Sequence, residues 1–552
     1  MAIRWRGRTV GALFSERARE MGDTPFLLLP DGETLSYGAL WRRGLRVAAL
    51  LQKRGVRAGA PVAVMLPNGA EAVCAMLGAC LLGGVDVSIN TAYVGATFDH
   101  ALRQVGARHL IVAAEYLSAL DPESDAVRAL EAIFVVDGPD GAEGGASSLF
   151  AGLRTAGLPL LDFAEECRKG AASPTDLPEV RPQDTACVIY TSGSTGPAKA
   201  VMMPHAQVML IAAQTVRHMG LGPGDIVYSV HPLYHMAGKF MLLLACADAG
   251  ARIVLDRGLR PELWLERIRE TGATFTGAHG AMLEMIAAQP PTPHDRDHRL
   301  RTICAAPFPK HLAAGFEQRF GVRGVEVWGM TEVGIPVWCD AQAPLEAGCC
   351  GQVDRAFFEF AIVDPATDEP VPLGDSGEFV VRNRYPWTMM QGYAGQPEAT
   401  AAAWRNLWFH TGDTGYMDEE GRIFFLDRAG DRIRRRAENI ASHDVEAAAL
   451  DHPSVREAVA VGYPSEFSGD DDIRLFVVPA PGGAFEPLTL LRHMTARLPH
   501  FMVPRYIEAA DSLPRSATQK VQRGRLRARP LGPDAWDRKS HGVRLKEIKE
   551  NP

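Results

Sequence analysis

Residues Tyr190 to Lys199 read YTSGSTGPAK, and this glycine- and hydroxyl-rich run decides how the rest of the chain is interpreted. An apolar run of β type, residues 186–189, precedes it, and a helical pattern, residues 205–219, follows it. Glycines allow backbone N–H groups to converge on anionic oxygens, hydroxyl groups add donors, and Lys199 supplies a positive charge. The layout of strand, loop, lysine and helix predicts a phosphate-binding loop. It is not a Walker A motif, because no GK[ST] follows the glycines at the required offset.

Four further motifs follow this loop in order. They are VWGMTE at residues 327–332, HTGD at 410–413, LDR at 426–428 and LPRSATQK at 513–520. Together with the loop, they resemble the ordered signatures of the adenylate-forming (AMP-binding) enzymes, which include acyl-CoA synthetases, firefly luciferase and non-ribosomal peptide adenylation domains. The resemblance covers most of the chain. In style, the motifs are most similar to those of carnitine-CoA-ligase-like and fatty-acyl-CoA ligases.

The composition is that of a folded protein with more than one domain. The chain has 552 residues, 47% of them hydrophobic, and a formal net charge of −8. A chain of this length exceeds what one hydrophobic core accommodates. The negative charge argues against a nucleic-acid-binding surface. The nine cysteines form no CxxC pair, which favours reduced, mostly buried thiols over disulfides or a zinc site.

The sequence predicts a cytoplasmic protein without a membrane span. The first 22 residues lack the apolar core of a signal peptide. The apolar run at residues 72–85 contains three glycines and stops at Asp86. This run is therefore too short to cross a bilayer and predicts a buried helix followed by a turn.

Apolar runs of β type alternate with helical patterns through the first three quarters of the chain. This alternation predicts an α/β fold with parallel sheets covered by helices. The predicted strands are residues 61–66, 85–89, 109–113, 132–136, 226–230 and 252–255, with a helix at 71–82.

A compact pattern of two helices and two strands follows residue 427. It covers residues 443–450, 458–462, 474–478 and 488–498 and predicts a small α+β unit. The charged tail, residues 536–552, is predicted to be poorly ordered.

The resemblance implies a fold of two parts. A large N-terminal domain, residues 1–427, would contain parallel-sheet α/β subdomains and a β-barrel-like subdomain, and would bind ATP and the acyl group. A small, mobile α+β C-terminal domain, residues 428–535, would rotate about a hinge at Gly430. The charged tail, residues 536–552, would follow it.

The reaction implied by the resemblance has two halves. A carboxylate attacks the α-phosphorus of ATP to give an acyl-adenylate and pyrophosphate. A thiol then attacks the acyl carbon and releases AMP. Both halves place negative charge on oxygens, so fixed donors and cations are needed. The implied cofactors and co-substrates are ATP, Mg²⁺ and coenzyme A, and the implied substrate is a small-molecule carboxylic acid.

The resemblance assigns most of the ATP site to the quoted motifs. Thr331 would bond the α-phosphate, and Glu332 would orient the magnesium ion. Trp328 would stand against the adenine ring, in the place usually taken by tyrosine. Asp413 would accept both ribose hydroxyls, with Arg428 beside it. The residues implied to bind ATP or AMP are Thr191, Ser192, Gly193, Ser194, Thr195, Gly196, Lys199, Ala306, Pro307, Trp328, Gly329, Met330, Asp413 and Arg428.

Lys520 is implied to be the catalytic lysine of adenylation, acting with Thr331 and Glu332. In the family this lysine lies in the small domain and reaches the carboxylate and α-phosphate oxygens in one conformation only. A compact ammonium group neutralises charge in the pentavalent transition state. The alternative interpretation is a surface lysine beside Arg515 and Arg523.

The segment implied to bind CoA departs from the family pattern. Arg436-Ala437 stands where family acyl-CoA synthetases commonly have Gly-Gly or Ser-Gly. The alanine methyl group either narrows the path of the pantetheine arm or is tolerated. The implied CoA-binding residues are Arg435, Arg436, Ala437 and Glu438, and a solvated basic face is the alternative.

The acyl pocket is implied to lie between residues 231–238, 276–283 and 304–307, with the two residues after Glu332. Many of these side chains are small, which predicts a roomy, mostly apolar pocket for a bulky or medium-to-long hydrophobic acid. The two histidines of the set either line the pocket or are structurally hydrogen-bonded. The implied pocket residues are His235, Gly238, Ala278, His279, Gly280, Ala305, Val333 and Gly334.

The sequence favours an ATP-dependent carboxylic acid:CoA ligase over two alternatives. One is an enzyme of a single half-reaction: adenylation only, loading of a carrier protein, or thioesterification of a supplied acyl-adenylate. The other is a non-catalytic nucleotide-binding protein, which has little need for Lys520. An acyl carrier protein as partner and a homodimer are open expectations.

Overall fold

The computed structural model of the chain describes residues 5–137, 145–191, 198–428, 433–435, 438–440, 442–465, 471–481, 485–498, 502–515, 521–545 and 548. The chain forms two compact units. The larger unit holds residues 1–193, 197–360 and 381–409, and the smaller unit holds residues 194–196, 361–380 and 410–552. The domain boundary that the sequence places at residue 427 stays a prediction.

The first sheet of the larger unit has eight strands. They are β3 (Pro61–Met65), β4 (Val85–Ser88), β5 (His109–Ala113), β6 (Ala132–Val136), β7 (Leu160–Asp162), β8 (Thr185–Thr191), β9 (Lys199–Pro204) and β19 (Gly392–Tyr393). They lie in the order β19–β9–β8–β4–β3–β5–β6–β7. The strands from β8 to β7 are parallel, and β9 and β19 add antiparallel pairs. The parallel strands β5 and β6 are buried along their whole length, which explains their continuous apolar sequences.

The second sheet of the larger unit carries the VWGMTE motif at the end of one of its strands. Its strands are β1 (Pro25–Leu28), β2 (Thr34–Ser36), β10 (Ile226–Ser229), β11 (Arg252–Leu255), β12 (Phe275–Ala278), β13 (Thr302–Ala305), β14 (Arg323–Met330), β15 (Gly334–Trp338) and β16 (Cys349–Val353). They lie in the order β16–β15–β14–β13–β12–β10–β11–β1–β2. The strands from β14 to β1 are parallel, whereas β15 and β16 are antiparallel to their neighbours.

Helices connect these strands. They are α1 (Val10–Glu20), α2 (Tyr37–Lys53), α3 (Ala70–Leu81), α4 (Gly95–Val105), α5 (Asp125–Arg128), α6 (Gly145–Thr155), α7 (Phe163–Lys169), α8 (His205–Met219), α9 (Ala245–Ala249), α10 (Trp264–Thr271), α11 (Gly280–Ala287), α12 (Ala313–Phe320) and α13 (Pro397–Ala403). Two 3₁₀ turns cover Ala114–Ala119 and Pro261–Leu263, and a π-helix, Ala237–Leu244, leads into α9. α3 and α8 are buried over most of their length; α3 is almost entirely apolar, whereas α8 also buries His205, Gln207, Gln214 and Thr215.

Further strands occupy the chain between residues 358 and 428. They are β17 (Phe358–Val363), β18 (Gly377–Asn383), β20 (Trp404–Arg405), β21 (Trp408–Met417) and β22 (Arg422–Arg428). β21 and β22 form an antiparallel pair. No strand was predicted in this region: the buried positions of β21 come in runs of three and do not alternate with exposed ones, so the sequence lacks the period-two signal of a half-buried strand.

The rest of the smaller unit is a small α+β body with its own core. Its strands are β23 (Ile433–Arg435), β24 (Glu438–Ile440), β25 (Val455–Pro464), β26 (Asp471–Pro479), β27 (Tyr506–Ala509) and β28 (Trp536–Asp537), and its helices are α14 (Ser442–Leu450), α15 (Pro487–Arg497) and α16 (Arg523–Ala528). The last four strands form one sheet in sequence order. Alternate residues of β26, Ile473, Leu475 and Val477, pack with Leu490 and Leu491 of α15.

The structure confirms the α/β fold class and corrects one local prediction. The predicted strands at residues 109–113, 132–136 and 252–255 match the observed bounds. The prediction of a poorly ordered tail is wrong for its described part: β28 pairs with β27, and Trp536, Val543 and Ile548 pack into the core of the smaller unit. The tail buries these apolar residues despite its many charges.

Most of the cysteines lie in the core. All nine cysteines are free thiols, and seven of them are buried. Within the described ranges, every helix is too short or too polar to reach across a lipid bilayer.

Candidate functional site

The predicted acyl and nucleotide segments begin where parallel strands of the second sheet end. Residues 230–238 follow β10, residues 279–283 follow β12, residues 306–307 follow β13, and residues 331–333 follow β14. These four strands are parallel neighbours. In open α/β sheets, ligands bind outside the carboxyl ends of the strands, where such segments meet. The topology therefore places the predicted acyl-pocket segments and the VWGMTE motif at one edge of the sheet.

A tight hairpin between β14 and β15 presents Thr331 and Glu332. Met330 pairs with Gly334 across the two strands, and the Val333 N–H group donates to the Met330 carbonyl at 3.2 Å. Gly334 has a positive φ of 78°, which a glycine adopts without strain. The strand pairing, this hydrogen bond and the glycine together fix the backbone conformation of the turn.

Two neighbouring segments hold this turn. The side-chain amide of Gln207, on α8, donates to the carbonyls of Thr331 at 2.9 Å and Glu332 at 3.2 Å. The Met390 N–H group donates to the Glu332 carbonyl at 2.8 Å. Gln207 is fully buried, so its donors have no competing water. No sequence motif marked this contact between α8 and the turn.

Tyr393 joins the predicted phosphate lysine to the predicted magnesium ligand. Its hydroxyl group donates to Oε1 of Glu332 at 3.0 Å, and its ring centroid lies 4.7 Å from Nζ of Lys199. Glu332 is only 4% exposed. The structure thus gathers Lys199, Tyr393 and Glu332 into one cluster. Tyr393 reaches it because β19 pairs with β9, a long-range contact that leaves no local pattern in the sequence.

The lysine of the loop motif begins a strand. Thr191 pairs with Lys199 across the antiparallel strands β8 and β9, and helix α8 starts only after β9. The helical pattern predicted at residues 205–219 is α8, and the residues between it and the loop form β9, a strand that was not predicted from the sequence; the run KAVMM is extended because it pairs with β8. The predicted phosphate-binding residues Ser192, Gly193, Ser194, Thr195 and Gly196 lie outside the described residues.

The residues before the turn are closely packed. Trp328 is buried, and its ring meets Phe360 edge-to-face at a centroid distance of 5.7 Å. A Cβ atom at Gly329 would overlap the carbonyl oxygen of Gly334, so only glycine fits there. Ala305 is buried at the end of β13, and the peptide bond between Ala306 and Pro307 is cis. The role of Trp328 in adenine binding stays a prediction.

Three histidines belong to the predicted acyl segments. Burial lowers the pKa of His231 to about 3, and the neighbouring His279 and His235 act in the same direction. His231 is therefore neutral at pH 7. Its ring centroid lies 6.0 Å from that of His279, and the ring of His235 lies 4.9 Å from that of Tyr234.

The glycines of these segments differ in the space around them. A Cβ atom at Gly277 would lie 3.2 Å from Leu242 and 3.3 Å from the His231 ring. At Gly280 the nearest atoms would be 3.6 Å away, on Pro309. Gly280 therefore accepts a methyl group more easily than Gly277 does.

In the smaller unit, Glu378 braces the HTGD motif. Its carboxylate accepts the Gly412 N–H group at 3.0 Å and lies 3.0 Å from Nδ1 of His410. The hydroxyl group of Thr411 donates to the Phe379 carbonyl at 2.7 Å. No sequence motif marked Glu378, which stands on the neighbouring strand β18.

Asp413 is fixed at the end of this motif. Its N–H group donates to Oγ1 of Thr411 at 3.0 Å, and Gly412 has a positive φ of 70°. Asp413 lies opposite Arg428 in the pairing of β21 with β22, so the structure brings these two predicted ribose contacts to adjacent strands. The side chain of Arg428 lies outside the described atoms.

The remaining predicted residues are described in part or not at all. Arg435 and Glu438 lie opposite each other in the pairing of β23 with β24, and their side chains are outside the described atoms. Gly430, Arg436, Ala437 and Lys520 lie outside the described residues. Their assigned roles stay predictions.

The chain matches two family models. The model for AMP-binding enzymes covers residues 14–394, and the model for the C-terminal domain of AMP-binding enzymes covers residues 444–520. This chain belongs to the AMP-binding enzyme family. The family resemblance is therefore confirmed, and the chain is an ATP- and CoA-dependent acid–thiol ligase.

Curated relatives align with almost the whole length of this AMP-binding enzyme. A feruloyl-CoA synthase of Amycolatopsis sp. is 31% identical over 528 residues, covering 95% of this chain and 99% of the relative. A sulfoacetate–CoA ligase of Cupriavidus necator is 29% identical over 524 residues, covering 94% and 97%. The crystal structure of an anthranilate CoA ligase with anthranoyl-AMP superposes with a TM-score of 0.83 at 23% identity, covering 96% of this chain and 98% of that one. That likeness confirms the fold.

Proposed function

We propose that this AMP-binding enzyme joins a carboxylic acid with a bulky, uncharged hydrophobic tail to CoA through an acyl-adenylate. The observation that carries the proposal is the composition of the pocket segments. Residues 231–238, 276–283, 304–307 and 333–334 contain no Asp, Glu, Lys or Arg, and many of their side chains are small. Small apolar walls suit an uncharged tail, whereas a charged tail buried among them would lack a counter-charge.

The state of His231 supports the same substrate class. With a pKa of about 3, its ring carries no positive charge at pH 7. It therefore offers no counter-charge to an acid with a second anionic group. Among the relatives, the feruloyl-CoA synthase is named for an acyl group with an uncharged aromatic tail, so aromatic acids are the first class to test.

We assign the adenylation half-reaction to the residues around the β14–β15 turn, together with Lys520. Lys199 and Thr331 would bind phosphate oxygens, and Asp413 would bind the ribose. Glu332 would hold Mg²⁺: one carboxylate suits an ion that takes its other ligands from phosphate oxygens and water. When bound, Mg²⁺ would neutralise phosphate charge.

We further propose that the enzyme carries out both half-reactions itself, in the cytoplasm, and prefers CoA to a carrier protein as acceptor. Arg435, Arg436, Ala437 and Glu438 would contact CoA. The support is the match of the chain to CoA ligases over their full length. A carrier-protein acceptor is the competing outcome of the experiment below.

The test is a panel of acids with ATP, Mg²⁺ and CoA, followed by mass spectrometry of the thioesters. The panel contains ferulate, benzoate, octanoate and sulfoacetate, each with CoA and with a phosphopantetheinylated carrier protein. We expect kcat/KM with CoA to be at least about tenfold higher for the best acid with an uncharged tail than for sulfoacetate. A preference for sulfoacetate contradicts the substrate class, and a preference for the carrier protein contradicts CoA as acceptor.

A further inference from the structure

A buried ion pair connects the first sheet to the acyl-pocket segment. Nζ of Lys239 contacts Oδ2 of Asp86 and donates to Oγ of Ser88. The Ser88 hydroxyl group in turn donates to Asp86 at 2.9 Å. The side chain of Lys239 is 5% exposed and that of Asp86 is 0% exposed. Asp86 and Ser88 lie on β4, whereas Lys239 lies on the π-helix, so the pair links two layers of the larger unit.

Stability alone does not account for this pair. Both charges are removed from water, and the desolvation cost of such a pair often equals or exceeds its electrostatic attraction. Within the described residues, Oδ1 of Asp86 is buried and accepts no hydrogen bond. Because successive residues of a strand face opposite sides of the sheet, Asp86 shares its face with Ser88 and not with Val85 and Val87.

Lys239 stands at the junction between the acyl-pocket segment and the helix. It follows Gly238 directly, and its N–H group donates to the carbonyl of His235 at 3.0 Å. About one turn later, Leu242 lies against Gly277 of β12: a Cβ atom at Gly277 would be 3.2 Å from the Leu242 side chain. An anchor at Lys239 therefore fixes how closely this helix approaches the predicted pocket wall. The helix is of the π type, which occurs frequently at functional sites.

A second polar anchor holds the other end of the same segment. The side-chain amide of Asn68, which follows β3, donates to the carbonyls of His231 at 3.0 Å and Asp256 at 2.8 Å. Its Oδ1 accepts the Leu233 N–H group at 3.0 Å. The segment from His231 to Lys239 is thus fixed at both ends by polar side chains of the first sheet and its loops.

We propose that Asp86 and Lys239 are positioning residues that set the depth of the acyl pocket. They hold the segment at residues 231–244 against β12 and so decide which acid tails fit. This inference rests on the proposed function, since it takes that segment to contact the acyl group.

The test replaces the whole pair, so that no single charge stays buried. The variant is Asp86→Val with Lys239→Met. The control is Asp295→Asn with Arg319→Met, which removes another largely buried ion pair of the larger unit, outside the pocket segments. We expect the KM for the acid to rise at least about tenfold in the first variant, while the KM for ATP changes less than about twofold. In the control, neither KM changes more than about twofold.

A second readout needs no activity. Hydrogen exchange of peptides from residues 231–244 should be at least about tenfold faster in the first variant, while peptides from β5 and β6 exchange as in the parent protein. An unchanged KM for the acid together with unchanged exchange at residues 231–244 overturns the proposal.

If the parent protein activates no acid of the panel, the proposed function fails, and the exchange measurement still decides the role of the pair. Should the double variant not fold, Lys239→Arg keeps the charge and lengthens the side chain; an unaltered ranking of the acids then overturns the proposal.

Discussion

Tyr393 contributes two separable contacts to the nucleotide cluster, a hydroxyl group on Glu332 and a ring face beneath Lys199. Tyr393→Phe removes only the hydroxyl group. We expect kcat/KM for MgATP to fall about 10- to 100-fold, the value of one hydrogen bond to a charged group, while the KM for the acid stays within about twofold. Pyrophosphate release measures both constants.

The matched control is Tyr37→Phe. The hydroxyl group of Tyr37 bonds to the carbonyl of Ala251 in the core, away from the cluster. Its loss should lower the melting temperature without changing the KM for ATP. If Tyr393→Phe leaves kcat/KM for MgATP unaltered, Tyr393 does not position Glu332.

Lys520 separates the two half-reactions in the proposed mechanism. Lys520→Gln should slow acyl-adenylate formation at least about 100-fold, because an ammonium group that neutralises the transition state is lost. Thioester formation from synthetic acyl-adenylate and CoA should stay within about threefold of the parent rate. Lys539→Gln, a charge removal elsewhere in the smaller unit, is the control. Equal losses in both half-reactions would contradict the assignment.

Glu326 makes stability depend on pH. This residue of β14 is buried, and burial raises its pKa from 4.5 to about 8. The folded protein therefore holds a proton that the unfolded chain releases above pH 4.5. The stability contributed by this proton is complete below pH 4.5 and is lost as the pH rises through 8, on the order of a few kcal/mol in total. Glu326→Gln should abolish this part of the pH dependence.

Urea unfolding at pH 5, 7 and 9 measures the Glu326 effect. The free energy of unfolding of the parent protein should fall relative to that of Glu326→Gln as the pH rises. Parallel curves for the two proteins would show that Glu326 is ionised in the folded state at neutral pH.

At the scale of elements, the β14–β15 hairpin carries the adenylation turn. Gly329→Ala places a methyl group on the carbonyl oxygen of Gly334, so the hairpin must open and displace Thr331 and Glu332. We expect a loss of about 2–3 kcal/mol in the free energy of unfolding and at least about a 100-fold loss of acyl-adenylate formation.

The control for the hairpin is Gly315→Ala. Gly315 lies within α12, and a Cβ atom there meets no neighbour within 4 Å. Alanine should stabilise this helix by about 0.5–1 kcal/mol and leave adenylation unchanged. Retention of activity in Gly329→Ala would show that the geometry of the turn does not matter for adenylation.

The same elements show which features can be predicted from the sequence and which depend on contacts between distant segments. β6 is apolar throughout, and β5 and β11 are apolar after their first residue, because both faces of these strands are buried, so their positions follow from the run of apolar residues. Thr331 and Glu332 follow from their motif. Tyr393, Gln207 and Glu378 reach the motifs through strand pairing and helix packing between distant segments, and such contacts leave no periodicity to find. The buried tail residue Ile548 was missed because its neighbours are mostly charged.

At the scale of the whole molecule, the motifs are divided between the two units. Lys199, Thr331 and Glu332 belong to the larger unit, whereas Asp413 belongs to the smaller one. A protein that only bound nucleotide would have no use for the lysine at position 520. The proposed ligase needs each of these groups, because adenylation and thioester formation both develop charge on oxygens.

The most direct measurement of the central claim is product analysis by mass spectrometry with and without CoA. The protein is incubated with ATP, Mg²⁺ and the best acid of the panel that has an uncharged tail. The proposed ligase accumulates acyl-AMP and pyrophosphate without CoA, and adding CoA converts the acyl-AMP to acyl-CoA and AMP. Acyl-AMP that persists after CoA is added would contradict CoA as the acceptor. Absence of both products with every acid would contradict the proposed reaction.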